Sequence, residues 1–258
     1  MESKFWNKEE ENFLIGNFNS YSYSEVGRVL NRSQKSIESK AKQLNLKKNK
    51  RVCRVPYLNN QAFYEINNDM AYLLGVIFTD GNIACCKHQY IIRLTVHEKQ
   101  FRDIFVNSLE KWMGKRIFSW EGICLSGFSK GRYQYHASIS SKYHYLILKH
   151  LLDNFSKLKQ SLISSNQVPA FLSGVFDGDG CFSWGIRANK QYHYQLNYKS
   201  IKKEKLSLIE DLLEYLGIKS HQYKEVLIIY RRNAILDFSN KIGFRILRKQ
   251  KNLELWKK

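Results

Sequence analysis

An internal repeat constrains this 258-residue chain more than any other feature. The run Tyr72-Leu73-Leu74-Gly75-Val76-Ile77-Phe78-Thr79-Asp80-Gly81 has a counterpart in Phe171-Leu172-Ser173-Gly174-Val175-Phe176-Asp177-Gly178-Asp179-Gly180. The segments downstream of the two copies also match. A strand-like run at 90–97 precedes a helix-like run ending at Met113-Gly114, and one at 192–200 precedes another ending at Leu216-Gly217. More strand-like runs and a helix come next, at 133–139 and 143–155 in the first copy and at 219–223, 226–231 and 234–242 in the second. Each copy therefore reads α-β-β-α-β-β-α, which predicts an α+β chain of two pseudo-symmetric halves, 57–160 and 161–258.

The repeated helix has small residues four apart, Gly75 with Thr79 and Gly174 with Gly178. Such a strip lets two helices approach backbone to backbone. If the copies pair through these strips, both helices end together, with Gly81 and Gly180 placed to stop them as C′ glycines. Asp80 and Asp179 then lie side by side at two helix C-termini. That is electrostatically poor, because the termini carry partial negative charge and the carboxylates repel each other. A divalent cation relieves both problems, and hard oxygen ligands suit Mg²⁺ (or Mn²⁺). Beside a basic surface, such a site points to phosphodiester hydrolysis.

The surface is basic. Lys and Arg number 42 against 23 Asp and Glu, a net charge of +19, which indicates a polyanionic partner. With 14% aromatic residues and only 2 Pro, the chain is neither disordered nor a Pro-rich scaffold. No apolar run is long enough for a membrane span, and Met1 to Lys4 lack a signal-peptide core. The five cysteines, Cys53, Cys85, Cys86, Cys124 and Cys181, form no C-x-x-C pair, and the odd count fits a reduced intracellular compartment.

Alternation along the strands supplies polar faces. In the 192–199 run, Tyr192, Tyr194, Leu196 and Tyr198 share one face; His193, Gln195, Asn197 and Lys199 share the other. In 90–97, Arg93, Thr95 and His97 point away from Ile92, Leu94 and Val96. Gln134, His136 and Ser138 share a face in 133–139, as do Ser183, Gly185 and Arg187. Rows of donors and acceptors are what base readout in a major groove requires.

Residues 1–46 read as three short helices. Trp6, Phe13 and Leu14 line the first, Val26 and Leu30 the second, and Ile37, Ala41 and Leu44 the third, for which Ser33 is the N-cap. Gln34, Lys35, Ser39 and Lys42 lie on the opposite side of the third helix and suit phosphates and base edges. The pattern Trp6…Glu9-Glu10…Glu25-Val26-Gly27-Arg28…Arg32-Ser33…Ile37…Lys40-Ala41…Leu44 resembles a Myb/SANT-like helix-turn-helix. A basic linker at 47–56, with Lys48 and Arg51, comes next and could lie along a groove.

The body resembles a single-chain LAGLIDADG homing endonuclease, with motif copies at 73–81 and 172–180. The resemblance implies that the motif helices form the interface between the halves, that Asp80 and Asp179 bind catalytic metal, and that the carbonyls of Thr79 and Gly178 assist. It further implies a basic residue after the third helix of each half: Lys159 in the first, and Lys249 in the second, with Arg248 and Lys251 as alternatives. Such a lysine hydrogen-bonds the attacking water or stabilises phosphate charge, or is simply a phosphate contact. A further polar position maps near Glu98. Phe78 stands where the second copy has Asp177, a position that is not the family's metal ligand. The expectation is a monomeric, site-specific double-strand DNA endonuclease that reads a long asymmetric target. The alternatives are a non-cleaving DNA-binding regulator and an RNA intron maturase on the same scaffold.

Overall fold

The computed structural model describes residues 6–18, 23–46, 65–86, 89–125, 127, 129–186 and 192–257. The chain divides at Arg54/Val55 into two units, inside the segment expected to link them.

The smaller unit holds α1 (Lys8–Asn17), α2 (Tyr23–Val29) and α3 (Gln34–Gln43). Asn7 and Glu10 form a reciprocal capping box at the start of α1, at 2.8 and 3.1 Å. Ser33 caps α3 by accepting from the Ser36 N–H at 3.2 Å. Leu14, Phe18, Val26, Ile37 and Ala41 are buried together, with Trp6, Phe13, Leu30 and Leu44 packed around them. Arg32 grips Glu10 with two hydrogen bonds, at 3.1 and 2.8 Å, and lies 4.4 Å over the Trp6 ring. Gln34, Lys35, Ser39 and Lys42 are all exposed on the far side of α3.

The larger unit begins with α4 (Asn68–Thr79), β1 (Asn82–Cys86), β2 (Gln89–Val96), α5 (Lys99–Met113), β3 (Phe118–Ile123), β4 (Tyr133–Ser140), α6 (Lys142–Leu152) and α7 (Phe155–Ser164). It repeats with α8 (Val168–Asp179), β5 (Gly180–Ile186), β6 (Tyr192–Lys199), α9 (Lys203–Tyr215), β7 (His221–Tyr223), β8 (Val226–Ile229), α10 (Arg232–Lys241) and α11 (Leu247–Lys257). The expected α-β-β-α-β-β-α order holds in both halves, and each adds a terminal helix, α7 or α11. The boundary expected at 160/161 falls within α7.

Each half forms a four-stranded antiparallel sheet with the same connectivity, β1-β2-β4-β3 and β5-β6-β8-β7. The alternation read from sequence sets their faces. Ile92, Leu94, Ala137, Leu196 and Tyr198 turn into one continuous apolar core shared by both halves. At its centre α4 and α8 pack along each other, buried throughout from Met70 to Phe78 and from Ala170 to Asp177.

The small-residue strip works as its spacing predicts. A Cβ on Gly75 would overlap the Phe171 carbonyl and sit 2.8 Å from the Val175 nitrogen. One on Gly174 would overlap the Tyr72 carbonyl. Only glycine lets these backbones touch. Gly81 and Gly180 differ from expectation: neither is left-handed, and Gly180 is extended at φ −77°, ψ 140°. Glycine is required there by proximity, since an added Cβ would sit 2.8 Å from the Ile77 Cα at Gly81 and 2.6 Å from the Phe176 Cα at Gly180.

Candidate active site and nucleic-acid interface

The paired helices bring Asp80 and Asp179 together. Asp80 caps the C-terminus of α4, and Asp179 is the last residue of α8. A Cβ on Gly178 would overlap both Thr79 Oγ1 and Asp80 Oδ2, so the end of one helix lies against the other. Both carboxyls are held above the ordinary carboxylate range, chiefly by burial. For Asp80 the charge of Asp179 adds to the rise. Lys205 and Lys249 oppose it at both residues.

Those two ammonium groups sit differently. Lys249 donates to the carbonyls of Phe176, Asp177, Gly178 and Gly180 at 2.9, 2.6, 3.0 and 2.8 Å. It adds a donor to carbonyls at the end of α8 and places positive charge on its dipole. Lys205, from the first turn of α9, donates to the Phe78 carbonyl at the end of α4 and lies 4.3 Å from the Phe78 ring centroid. Burial lowers the pKa of both lysines.

Lys159 lies elsewhere. Its ammonium pairs with Asp211 of α9 at 2.7 Å, a half-exposed contact that ties α7 to α9. The lysine at the end of α4 is Lys205, from the opposite half. Only tertiary packing reveals this, because Lys202-Lys203-Glu204-Lys205 reads in sequence as an ordinary charged helix start. Glu98 lies beside α11, with Oε2 3.1 Å from Arg248.

Asp177 has a role that the sequence did not disclose. It is 1% exposed. It accepts from the Tyr72 hydroxyl at 2.8 Å and from the backbone N–H groups of Arg245 and Ile246 at 3.2 and 3.3 Å. Those amides lie just ahead of α11, so Asp177 caps that helix from α8 while Lys249, on α11, caps α8 in return. Burial pushes the Asp177 carboxyl up to about 6 despite these donors. Arg245 stacks 4.0 Å over the Tyr72 ring and reaches Asn68 and Asp69, binding the start of α4 into the same network.

A cation-binding set can be tested on these donors. Two adjacent, mutually repelling carboxylates are the hard oxygens a divalent cation prefers. Among the described residues no cluster of three or more His, Cys, Asp or Glu exists, so carbonyl, water or phosphate oxygens would complete the shell. The residues fit Mg²⁺ or Mn²⁺ on that basis. The Gly178 carbonyl is already shared with Lys249.

The expected polar faces point away from the core. On the first sheet Arg93 and Thr95 are exposed, and cross-strand pairs run Arg93–Ser138–Phe118 and Thr95–His136–Trp120. Gln134 lies on the same face, and His97 follows β2 with Nδ1 2.9 Å from the Tyr133 carbonyl. On the second sheet His193, Gln195, Asn197 and Lys199 pair with Gly185, Ser183, Cys181 and Val226. His193 Nδ1 and Asn197 Oδ1 are buried and have no hydrogen-bond partner. Lys48, Arg51 and Arg187 lie outside the described residues. No helix among the described residues is long and apolar enough to cross a membrane.

Residues 166–243 match the family model of the LAGLIDADG-like domain. Two proteins of Methanocaldococcus jannaschii are similar over most of the chain. The uncharacterised protein MJ0314 is 26% identical over 205 residues, 78% of this chain and 70% of its own. The uncharacterised protein MJ0398 is 26% identical over 201 residues, 72% and 70%. Among solved structures, that of I-DmoI in complex with DNA and Ca superposes with a TM-score of 0.51 at 16% identity, covering 74% of this chain and 100% of that one. The two sheets and paired motif helices of the larger unit are thus the two-halved LAGLIDADG fold.

Proposed function

We propose that this chain is a site-specific double-strand DNA endonuclease acting on a long, asymmetric target as a monomer. The observation that carries the reading is the convergence of Asp80 and Asp179 at the ends of two helices locked by Gly75 and Gly174, in a protein of net charge +19. Asp80 and Asp179, with the carbonyls of Thr79 and Gly178, would hold a divalent cation. Bound there, it supplies polarisation of the scissile phosphate and activation of water.

The chain's own groups do the rest. Lys205 and Lys249 oppose the rise in the carboxyl pKa values and add positive potential where phosphate charge develops. Arg93, Thr95, His97, Gln134 and His136 read one half-site, and Arg187, His193, Gln195, Asn197 and Lys199 read the other. The two faces differ in sequence, so the target is asymmetric. The three-helix unit serves as a Myb-like DNA-binding module through Gln34, Lys35, Ser39 and Lys42. With the basic linker it adds affinity because its contact is intramolecular.

The test is cleavage of a randomised plasmid library with Mg²⁺, followed by sequencing of the ends. Asp80→Asn and Asp179→Asn run alongside. The reading requires discrete double-strand cuts at one long motif, reduced at least about 10²-fold in either variant. Binding should weaken by roughly 10³–10⁵ between 50 and 200 mM salt if 6–10 phosphates are contacted. Tight binding to a selected duplex without cuts would make the chain a regulator, and preferential RNA binding a maturase.

A further inference from the structure

The outward faces of the two sheets share a topology but not a chemistry. Strand β7, at the edge of the second sheet, places His221 and Tyr223 on its outward face. Strand β3, at the equivalent edge of the first, places Phe118 and Trp120 there, 69% and 42% exposed. Their rings stack at 5.2 Å and 27°, and Trp120 stacks on His136 of the neighbouring strand at 4.9 Å and 8°. Thr95 Oγ1 lies 3.1 Å from His136 Nδ1, and burial lowers the pKa of that imidazole. The stack is therefore a largely apolar platform beside the polar side chains of Arg93, Thr95 and Gln134 on the same face.

An exposed apolar patch on a soluble protein marks a contact surface. Charge identifies the occupant. Arg93 occupies the same rung as Phe118, on a chain of net charge +19, so the partner is a polyanion. In the major groove a duplex polyanion displays one apolar group, the 5-methyl of thymine. Paired bases offer no free ring face to stack on. We propose that Phe118 and Trp120 read thymine methyl groups, biasing the half-site beneath the first sheet towards A·T pairs with thymine in register. The inference rests on the DNA-binding part of the function proposed above and adds a readout that hydrogen-bonding residues cannot supply.

The alternating duplexes poly(dA-dT) and poly(dA-dU) differ only in that methyl and can be compared on the full chain by competition anisotropy at fixed salt. The wild type should prefer the thymine duplex by roughly three- to tenfold. Phe118→Ala with Trp120→Ala should cut that preference to below about twofold while leaving the salt slope intact. Phe118→Leu, which keeps apolar contact, should retain it. Arg93→Ala should weaken both duplexes alike. Equal binding by the wild type, or an unchanged preference in the double variant, overturns the proposal. So does tighter binding to single-stranded RNA than to either duplex, which would reassign the rings to stacking on unpaired bases. Absence of library cleavage with the methyl preference intact would overturn the endonuclease reading and leave this one standing.

Discussion

Two helix ends in this molecule share a motif and are built differently. At the end of α4 the position two before the motif's final aspartate is Phe78, and at the end of α8 it is Asp177. Phe78 packs its ring 5.5 Å from Phe155, the first residue of α7, and 5.6 Å from Phe171 of α8. Asp177 holds the start of α11 by accepting two backbone N–H groups. Both residues dock the terminal helix of their half onto the motif helix, one by apolar contact and one by hydrogen bonds. The lysines beside the two ends differ as well. On α11 the third residue, Lys249, turns onto the carbonyls of α8. On α7 the third residue, Lys157, lies 2.5 Å from His150 instead, and the end of α4 takes Lys205 from the other half. Pseudo-symmetry of the backbone therefore does not extend to the chemistry around the two carboxylates.

The comparison breaks most sharply if Phe78 is replaced by the residue its counterpart carries. Phe78→Asp removes a buried ring from its contacts with Phe155 and Phe171 and buries a carboxylate beside Lys205, so denaturant unfolding should show a loss of about 4 kcal/mol. Asp177→Ala strands the Tyr72 hydroxyl and two amides, a loss of about 3 kcal/mol. Hydrogen exchange should then rise at Arg245 and Ile246, whereas Asp177→Asn, which keeps an acceptor, should recover part of the protection. Lys249→Met removes four charge-assisted acceptor contacts and should cost about 2 kcal/mol, against about 1 kcal/mol for Lys205→Met, which loses one carbonyl and a ring contact. Equal losses would mean that the two helix ends are equivalent after all.

The smallest effect concerns pH. Because Asp80 and Asp179 titrate above the ordinary carboxylate range when folded, the folded state holds protons that the unfolded chain releases. That contribution to stability is full below the unfolded carboxyl pKa, about 4, and is lost as pH rises through the raised values. In chelator, Asp179→Asn should therefore melt a few degrees above wild type at pH 7, and the gap should close towards pH 4. A gap that widens on acidification would reverse the sign of the shift.

Much of this is legible in sequence because it is periodic or repeated. The pairing of α4 with α8 follows from small residues four apart in both copies, and the outward strand faces follow from strict alternation. The Asn7 box and the Ser33 cap are local and equally open to reading in part. The features that escape depend on side chains that meet only after folding. Lys205 and Phe78 are far apart in the chain, as are Asp177 and Ile246, and nothing in either segment names its partner. Helix α11 has few apolar positions, and Leu253, Trp256 and the cap from Asp177 fix it in ways its periodicity does not announce. Gly81 and Gly180 read in sequence as left-handed stops, yet they are needed because Ile77 and Phe176 crowd them, a steric demand with no local signature.

The contact of Gly75 with Gly174 leaves no slack between the halves. A separation set by touching backbones is a fixed gauge, indifferent to the side chains that the sheets carry on their outer surfaces. Side chains on β2, β3, β4 and β6 can thus be exchanged wholesale while the spacing of the two carboxylates stays the same. Such a molecule keeps the distance between its two carboxylates constant while its outer faces drift.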